Sequence, residues 1–156
     1  MTKHSIYIIT VLILLTSESK SQIDSNTIFT KSKGKLSHPL SHYKIFPDKS
    51  SIGHANRGCF NPGITYYTST EENVKAIFEG KIVSIFKIDS SYCIMTKYGS
   101  FYIAYSGLNE PVFKKGDYIK KNQFLGSLHD IGDDKYELEL AILKGAKTYN
   151  PLIWIK

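Results

Sequence analysis

The eight residues Lys135-Tyr136-Glu137-Leu138-Glu139-Leu140-Ala141-Ile142 alternate in character. Tyr136, Leu138, Leu140 and Ile142 fall on one side, Glu137 and Glu139 on the other. Successive side chains of an extended backbone leave on opposite faces, so a period of two marks a half-buried β-strand. The apolar set belongs in a core. The opposite set puts two carboxylates on one face. Side by side in a groove they would repel and raise at least one pKa. On open surface they are an ordinary solvated strand face.

The rest of the chain from residue 52 has the same texture. Gly63-Ile64-Thr65-Tyr66-Tyr67-Thr68 is rich in β-branched and aromatic residues and predicts a strand. Short strands are predicted over 74–77, 81–88, 92–97, 101–106 and 123–128. Turns at Glu79-Gly80, Asp89-Ser90-Ser91, Tyr98-Gly99-Ser100 and Lys115-Gly116-Asp117 separate them. A last apolar run covers Leu152 to Ile155. No stretch beyond the first 21 residues carries a helical period. The pattern predicts an all-β domain with an antiparallel sheet or sandwich core over residues 52–156.

The 156 residues suffice for one domain. The first 21 do not belong to it. Lys3 and His4 precede an apolar run from Ile6 to Leu15, followed by polar residues and a small-x-small site at Ser19-Lys20-Ser21. The run is too short to span a bilayer. It reads as a secretory signal peptide cleaved before Gln22. The alternative is an uncleaved anchor. No Cys near the site marks a lipoprotein, so contact with the membrane is expected only through this segment before cleavage. Residues 22–51 are polar and weakly patterned, with Pro39 and Pro47, and read as a linker or loosely attached arm.

The formal charge is +6, and removal of Lys3, Lys20 and Glu18 with the leader lowers it to +5. A mild basic excess suits an anionic polymer such as a cell wall. The lysines are scattered and no recognition helix or ribonucleoprotein aromatic motif occurs, which argues against nucleic acid. Two cysteines, Cys59 and Cys93, could pair after export or remain thiols; no C-x-x-C occurs for zinc. His38 and His42 stand four apart, but Pro39 between them opposes the helix that would make them a metal pair.

Five ordered segments between residues 57 and 155 resemble the lysostaphin-type (LytM-type) zinc metallopeptidase domain. Val74-Lys75-Ala76-Ile77-Phe78-Glu79-Gly80-Lys81-Ile82 is similar to its V-x-A-x-x-x-G-x-V strand pair. Tyr98-Gly99 with Ile103-Ala104-Tyr105-Ser106-Gly107-Leu108 resembles the segment ending T-x-Y-x-H-L. Lys115 to Gly126 is similar to x-G-D-x-V-x-x-G-Q-x-I-G. Glu137-Leu138-Glu139-Leu140-Ala141-Ile142 stands in the place of H-L-H-F-E-I, and Asn150-Pro151-Leu152-Ile153-Trp154 in that of the closing D-P-x-x-W/Y. The resemblance implies the family's duplicated-hybrid-motif-like β fold. It also implies a groove whose active members cleave peptidoglycan cross-links with zinc.

The catalytic residues do not carry over. By this resemblance the zinc-binding H-x-x-x-D falls on Asn61 and Thr65. The third ligand falls on Glu139, the first His of H-x-H on Glu137, and the His of Y-x-H-L on Gly107. A neutral amide and a neutral hydroxyl are poor replacements for imidazole and carboxylate around catalytic zinc. Without the metal, water keeps its bulk pKa rather than about 7. Gly107 has no side chain to steady an oxyanion. A relocated metal site would have to draw on His54, His129, Asp133, Glu137 and Glu139.

These residues lead to a secreted, catalytically inactive relative of the peptidases, a cell-wall binding or regulatory module with no catalytic residues and no cofactor. Its groove would be lined by Asn61, Thr65, Tyr102, Tyr105, Glu137 and Glu139, with Tyr98 a further aromatic contact. Aromatic faces beside carboxylates suit sugars and peptide amines. The expected partners are peptidoglycan, a cell-wall hydrolase or another envelope protein. The competing readings are an active metallopeptidase with substituted zinc ligands, zinc then being its cofactor, and a protein–protein adaptor that uses a sheet edge or the 22–51 arm.

Overall fold

The computed structural model of the chain describes residues 23–46 and 63–156. The leader, His54, Cys59 and Asn61 lie outside them. No helix among the described residues is long and apolar enough to cross a membrane.

Among the described residues ten strands follow in chain order: β1 Lys44–Phe46, β2 Ile64–Thr68, β3 Asn73–Lys75, β4 Gly80–Ile88, β5 Ser91–Tyr98, β6 Phe101–Leu108, β7 Tyr118–Ile119, β8 Phe124–Ser127, β9 Tyr136–Lys144 and β10 Lys147–Tyr149. The large sheet runs β1-β2-β9-β6-β5-β4-β7, with β10 paired to β9. The pairings within it are antiparallel. A separate ribbon pairs β3 with β8. The predicted strands are all present with ends shifted by a few residues, and a 3-10 turn, Pro151–Ile153, begins the terminal apolar segment.

The opening stretch is central. Leu138, Leu140 and Ile142 of β9 are fully buried in the main core, as the alternation requires. That core lies on one face of the sheet. It gathers Ile94 of β5, Ile103 and Tyr105 of β6, Tyr66 of β2 and Ile77 of the β3–β4 connection.

Residues 23–46 are not a loose arm. Residues 23–31 form a helix, α1, on the core face of the sheet. Its anchor is Phe29, fully buried against Phe78, Phe101 and Trp154 at ring separations of 4.9, 4.6 and 5.4 Å. The Trp154 indole donates to the Phe29 carbonyl at 3.1 Å. Asn26 accepts from the Ser100 backbone at 2.7 Å and donates to its hydroxyl at 3.1 Å. Gly34, at φ +67°, turns the chain after the helix. Leu36 then bridges in parallel to Ile155. The Pro39 carbonyl accepts from Lys75 at 2.9 Å, and β1 closes the sheet edge on β2. The expectation of a linker, and of no helix after the leader, therefore fails for these residues. Each apolar anchor docks on a different part of the body, so no local period announces it.

Candidate functional site

The second face of the sheet carries the candidate site. Register aligns its side chains. Thr65 of β2 pairs with Glu139 of β9, and Tyr67 with Glu137. Ser106 of β6 pairs with Glu139, Ala104 with Ala141, and Tyr102 with Leu143. Strand parity places these residues on the face opposite Leu138, Leu140 and Tyr105.

This face has two halves. Over β2 and β9 it is polar. Glu139 is exposed and Glu137, Thr65 and Tyr67 are half-buried. The Tyr67 phenol is held above its usual pKa, first by burial and then by the charges of Glu137 and Glu139, while a hydrogen bond with Thr65 opposes the shift. The three acidic side chains thus share one local field, and Tyr67 remains a neutral phenol there. Over β4, β5 and β6 the face turns apolar. Cys93, Ala104, Ala141 and Leu143 are buried in a second cluster flanked by Phe86, Ile88, Met95 and Tyr102. The side of β9 that carries the two glutamates is therefore polar only at its start.

Several sequence-derived assignments change. Thr65, Glu137, Glu139 and Tyr102 do share this face. Tyr105 does not: it is fully buried on the core side, where its hydroxyl accepts from the Ile77 N–H at 3.0 Å. Residues three apart on a strand face opposite ways, so Tyr102 and Tyr105 cannot line one groove. Tyr98 also packs inward, edge-on to Phe78 at 5.0 Å. Asn61 lies outside the described residues. Tyr67 and Ser106 belong to the face and were missed; the two-residue spacing of Thr65 and Tyr67 was their signal.

Gly107 has a structural reason to be glycine. It is the extra residue of a bulge, since Tyr92 pairs with Leu108 and Cys93 with Ser106. Its φ is +96°, and a Cβ there would collide with the Glu137 carbonyl oxygen. No histidine can occupy this position without moving the β6–β9 backbone.

Of the positions that the resemblance implies for zinc ligands, Asn61 lies outside the described residues, and Thr65, a neutral hydroxyl, pairs across the sheet with the exposed carboxylate of Glu139. Of the residues that a relocated site would draw on, His54 lies outside the described residues. His129 has both ring nitrogens engaged, Nδ1 with Asn109 at 3.0 Å and Nε2 with Ser90 at 2.9 Å. Asp133 is exposed, with Lys135 at 3.4 Å. Among the described residues no three His, Cys, Asp or Glu side chains converge in a metal-binding group. What the polar half offers is hydrogen-bond acceptance by two carboxylates, beside the hydroxyls of Thr65, Tyr67 and Ser106.

The fold has known counterparts. Over 80% of its length the chain superposes on Helicobacter pylori Csd3 with a TM-score of 0.62 and 19% identity, covering 34% of that protein. It matches a chain of the SpoIIQ–SpoIIIAH pore-forming complex with a TM-score of 0.58 and 19% identity, covering 80% of this chain and 92% of that one. Lysostaphin itself superposes over 71% of this chain and 49% of its own, with a TM-score of 0.53 and 24% identity. The fold is that of the lysostaphin-type peptidases. No family profile matches the sequence, and no curated protein does. The chain spans about a third of the length of Csd3.

Proposed function

We propose that this chain is an exported, non-hydrolytic lysostaphin-fold module that binds at the bacterial cell envelope, with peptidoglycan as its ligand. The observation that carries the reading is the paired Thr65 and Glu139 beside a Gly107 locked against the Glu137 carbonyl. The sheet that floors a peptidase groove is kept, while the positions that would hold and assist a metal have become a neutral hydroxyl, a carboxylate and a bulge glycine. Peptide amines and sugar hydroxyls can donate to Glu137 and Glu139. Tyr102 and the apolar half beside it give apolar contacts for the body of such a ligand. The basic excess of the chain favours approach to an anionic wall.

A second reading, an adaptor for another envelope protein, draws support from the likeness to a chain of the SpoIIQ–SpoIIIAH complex. The test is co-sedimentation of the purified full chain with isolated peptidoglycan sacculi, run beside a cross-link cleavage assay in added zinc. Sedimentation without cleavage is expected. Zinc-dependent cleavage would overturn the non-hydrolytic reading in favour of a metallopeptidase with substituted ligands. Absence of sedimentation would leave the adaptor reading standing and remove the wall as ligand.

A further inference from the structure

A concave surface lies on the opposite side of the sheet from the candidate site. It is a shallow, open cleft of about 310 Å³ between β4, β5 and the segment 109–117. Ile85, Tyr92 and Phe113 form its apolar side; all three are half-buried and pack on the main core. Lys114, Lys115 and Glu110 contribute its charges, and all three are exposed. Lys87 lies with its ammonium 5.6 Å from the Tyr92 ring centre, adding a third cation beside the cleft.

The walls are fixed by hydrogen bonds at both ends of the 109–117 segment. Asn109 donates to the Ser127 hydroxyl and the Leu128 carbonyl at 2.9 and 3.0 Å, and its own N–H reaches the Ser127 carbonyl at 2.9 Å. At the far end Gly116 donates to the Ile82 carbonyl and Ile82 to the Asp117 carbonyl, both at 2.8 Å. Asp117 accepts from the Lys114 N–H at 2.9 Å. The segment is thus tied to the body at both ends. A preformed concavity costs a ligand less ordering than a loop that must close on it.

We propose that this cleft binds an anionic saccharide. Aromatic and aliphatic side chains match the C–H face of a sugar ring. The ammonium groups of Lys114 and Lys115 match an acidic substituent, carboxylate or phosphate. Glu110 distinguishes a saccharide from a bare anion, because a carboxylate repels the anion but accepts hydrogen bonds from ring hydroxyls. The site is separate from the groove face and stands whether or not the groove binds the wall.

The test is an NMR titration of the isotope-labelled full chain with N-acetylmuramic acid, with a phosphorylated aminosugar, with neutral N-acetylglucosamine and with inorganic phosphate. Saturable shifts are expected at the amides of Ile85, Tyr92 and Phe113 with one or both acidic sugars, and which of the two binds tighter separates carboxylate from phosphate. The neutral sugar and free phosphate should bind at least about tenfold more weakly, and Lys114→Ala/Lys115→Ala should lose about tenfold in affinity for the acidic sugar. Lys120→Ala/Lys121→Ala, which removes two exposed lysines outside the cleft, should bind normally, and an equal loss of affinity in that variant would overturn the proposal. Shifts confined to Thr65, Glu137 and Glu139, equal binding of phosphate alone, or unchanged affinity of the double variant would each overturn the proposal.

Discussion

The two faces of the one sheet are built to opposite specifications. On the core face, Leu138, Leu140, Ile142, Tyr66 and Tyr105 are sealed beneath α1, the 37–43 strap and the β3–β8 ribbon. On the groove face, the same strands present Glu137 and Glu139 at one end and a smaller apolar cluster around Ala104 and Leu143 at the other. The core face fixes the fold through shape and burial. The groove face can lose a catalytic constellation without losing the fold, because none of its polar residues is needed to fill a core. That asymmetry is what the proposed non-hydrolytic reading requires, since Thr65 and Glu139 could change without cost to the core.

The largest effects should come from opening the sealed face. Phe29→Ala removes the ring that packs on Phe78, Phe101 and Trp154, and should cost about 3–5 kcal/mol in urea unfolding. Leu138→Ala on the same face should cost about 2–5 kcal/mol. Deletion of residues 22–51 should unfold the protein rather than trim a contact, so it cannot serve as a test of the arm as an adaptor. A Phe29→Ala variant within about 0.5 kcal/mol of the parent would show that α1 is not part of the core, and would break the comparison outright.

A backbone effect comes next. Gly107→His places a side chain at φ +96° against the Glu137 carbonyl. It should destabilise the chain by at least about 1–3 kcal/mol and confer no zinc binding in a metal-content assay. A stable variant that takes up stoichiometric zinc would mean that the groove face retains the geometry of a metal site, contrary to the reading given above.

How far these faces were legible follows from their patterning. β9 could be read because its apolar side is unbroken from Leu138 to Ile142 and its other side opens with charges. β6 is apolar on both sides, so Tyr102 and Tyr105 look alike until strand parity is applied. α1 was illegible because it has one deeply buried anchor, Phe29, while Ile23 and Ile28 are exposed. β1 spans only three residues, and its place beside β2 is a long-range fact. Of the candidate site, Thr65, Glu137 and Glu139 follow from motif order, and the β2–β9 pairing puts them on one face. Tyr67 does not follow from motif order, because its role depends on the pairing of β2 with β9.

Alkaline titration should separate the faces more finely. Burial pushes the Tyr66 and Tyr105 phenols far above the usual tyrosine range. Both stay protonated in the folded state while the unfolded chain ionises near the ordinary value of about 10. Above that pH the unfolded state binds fewer protons, so stability is complete below about pH 10 and falls beyond it, by about 1.4 kcal/mol per pH unit for each phenol held neutral. Unfolding midpoints between pH 9 and 11 check this. Tyr105→Phe should flatten the slope; an unchanged slope would mean that the phenol is not sealed.

The smallest effect on stability should come from the open face. Glu139 is exposed at the middle of β9, opposite Thr65 and Ser106, and fills no core volume. Glu139→Ala should therefore shift unfolding by no more than about 0.5 kcal/mol in either direction. Its carboxylate is one of two acceptors on the polar half, so the same substitution should weaken co-sedimentation with sacculi, by about tenfold if a charged hydrogen bond to a peptide amine is lost. Glu139→Gln keeps the shape and one acceptor oxygen but removes the charge, and should fall between the parent and the alanine variant. Full retention of wall binding by Glu139→Ala, with the fold intact, would place the contact elsewhere.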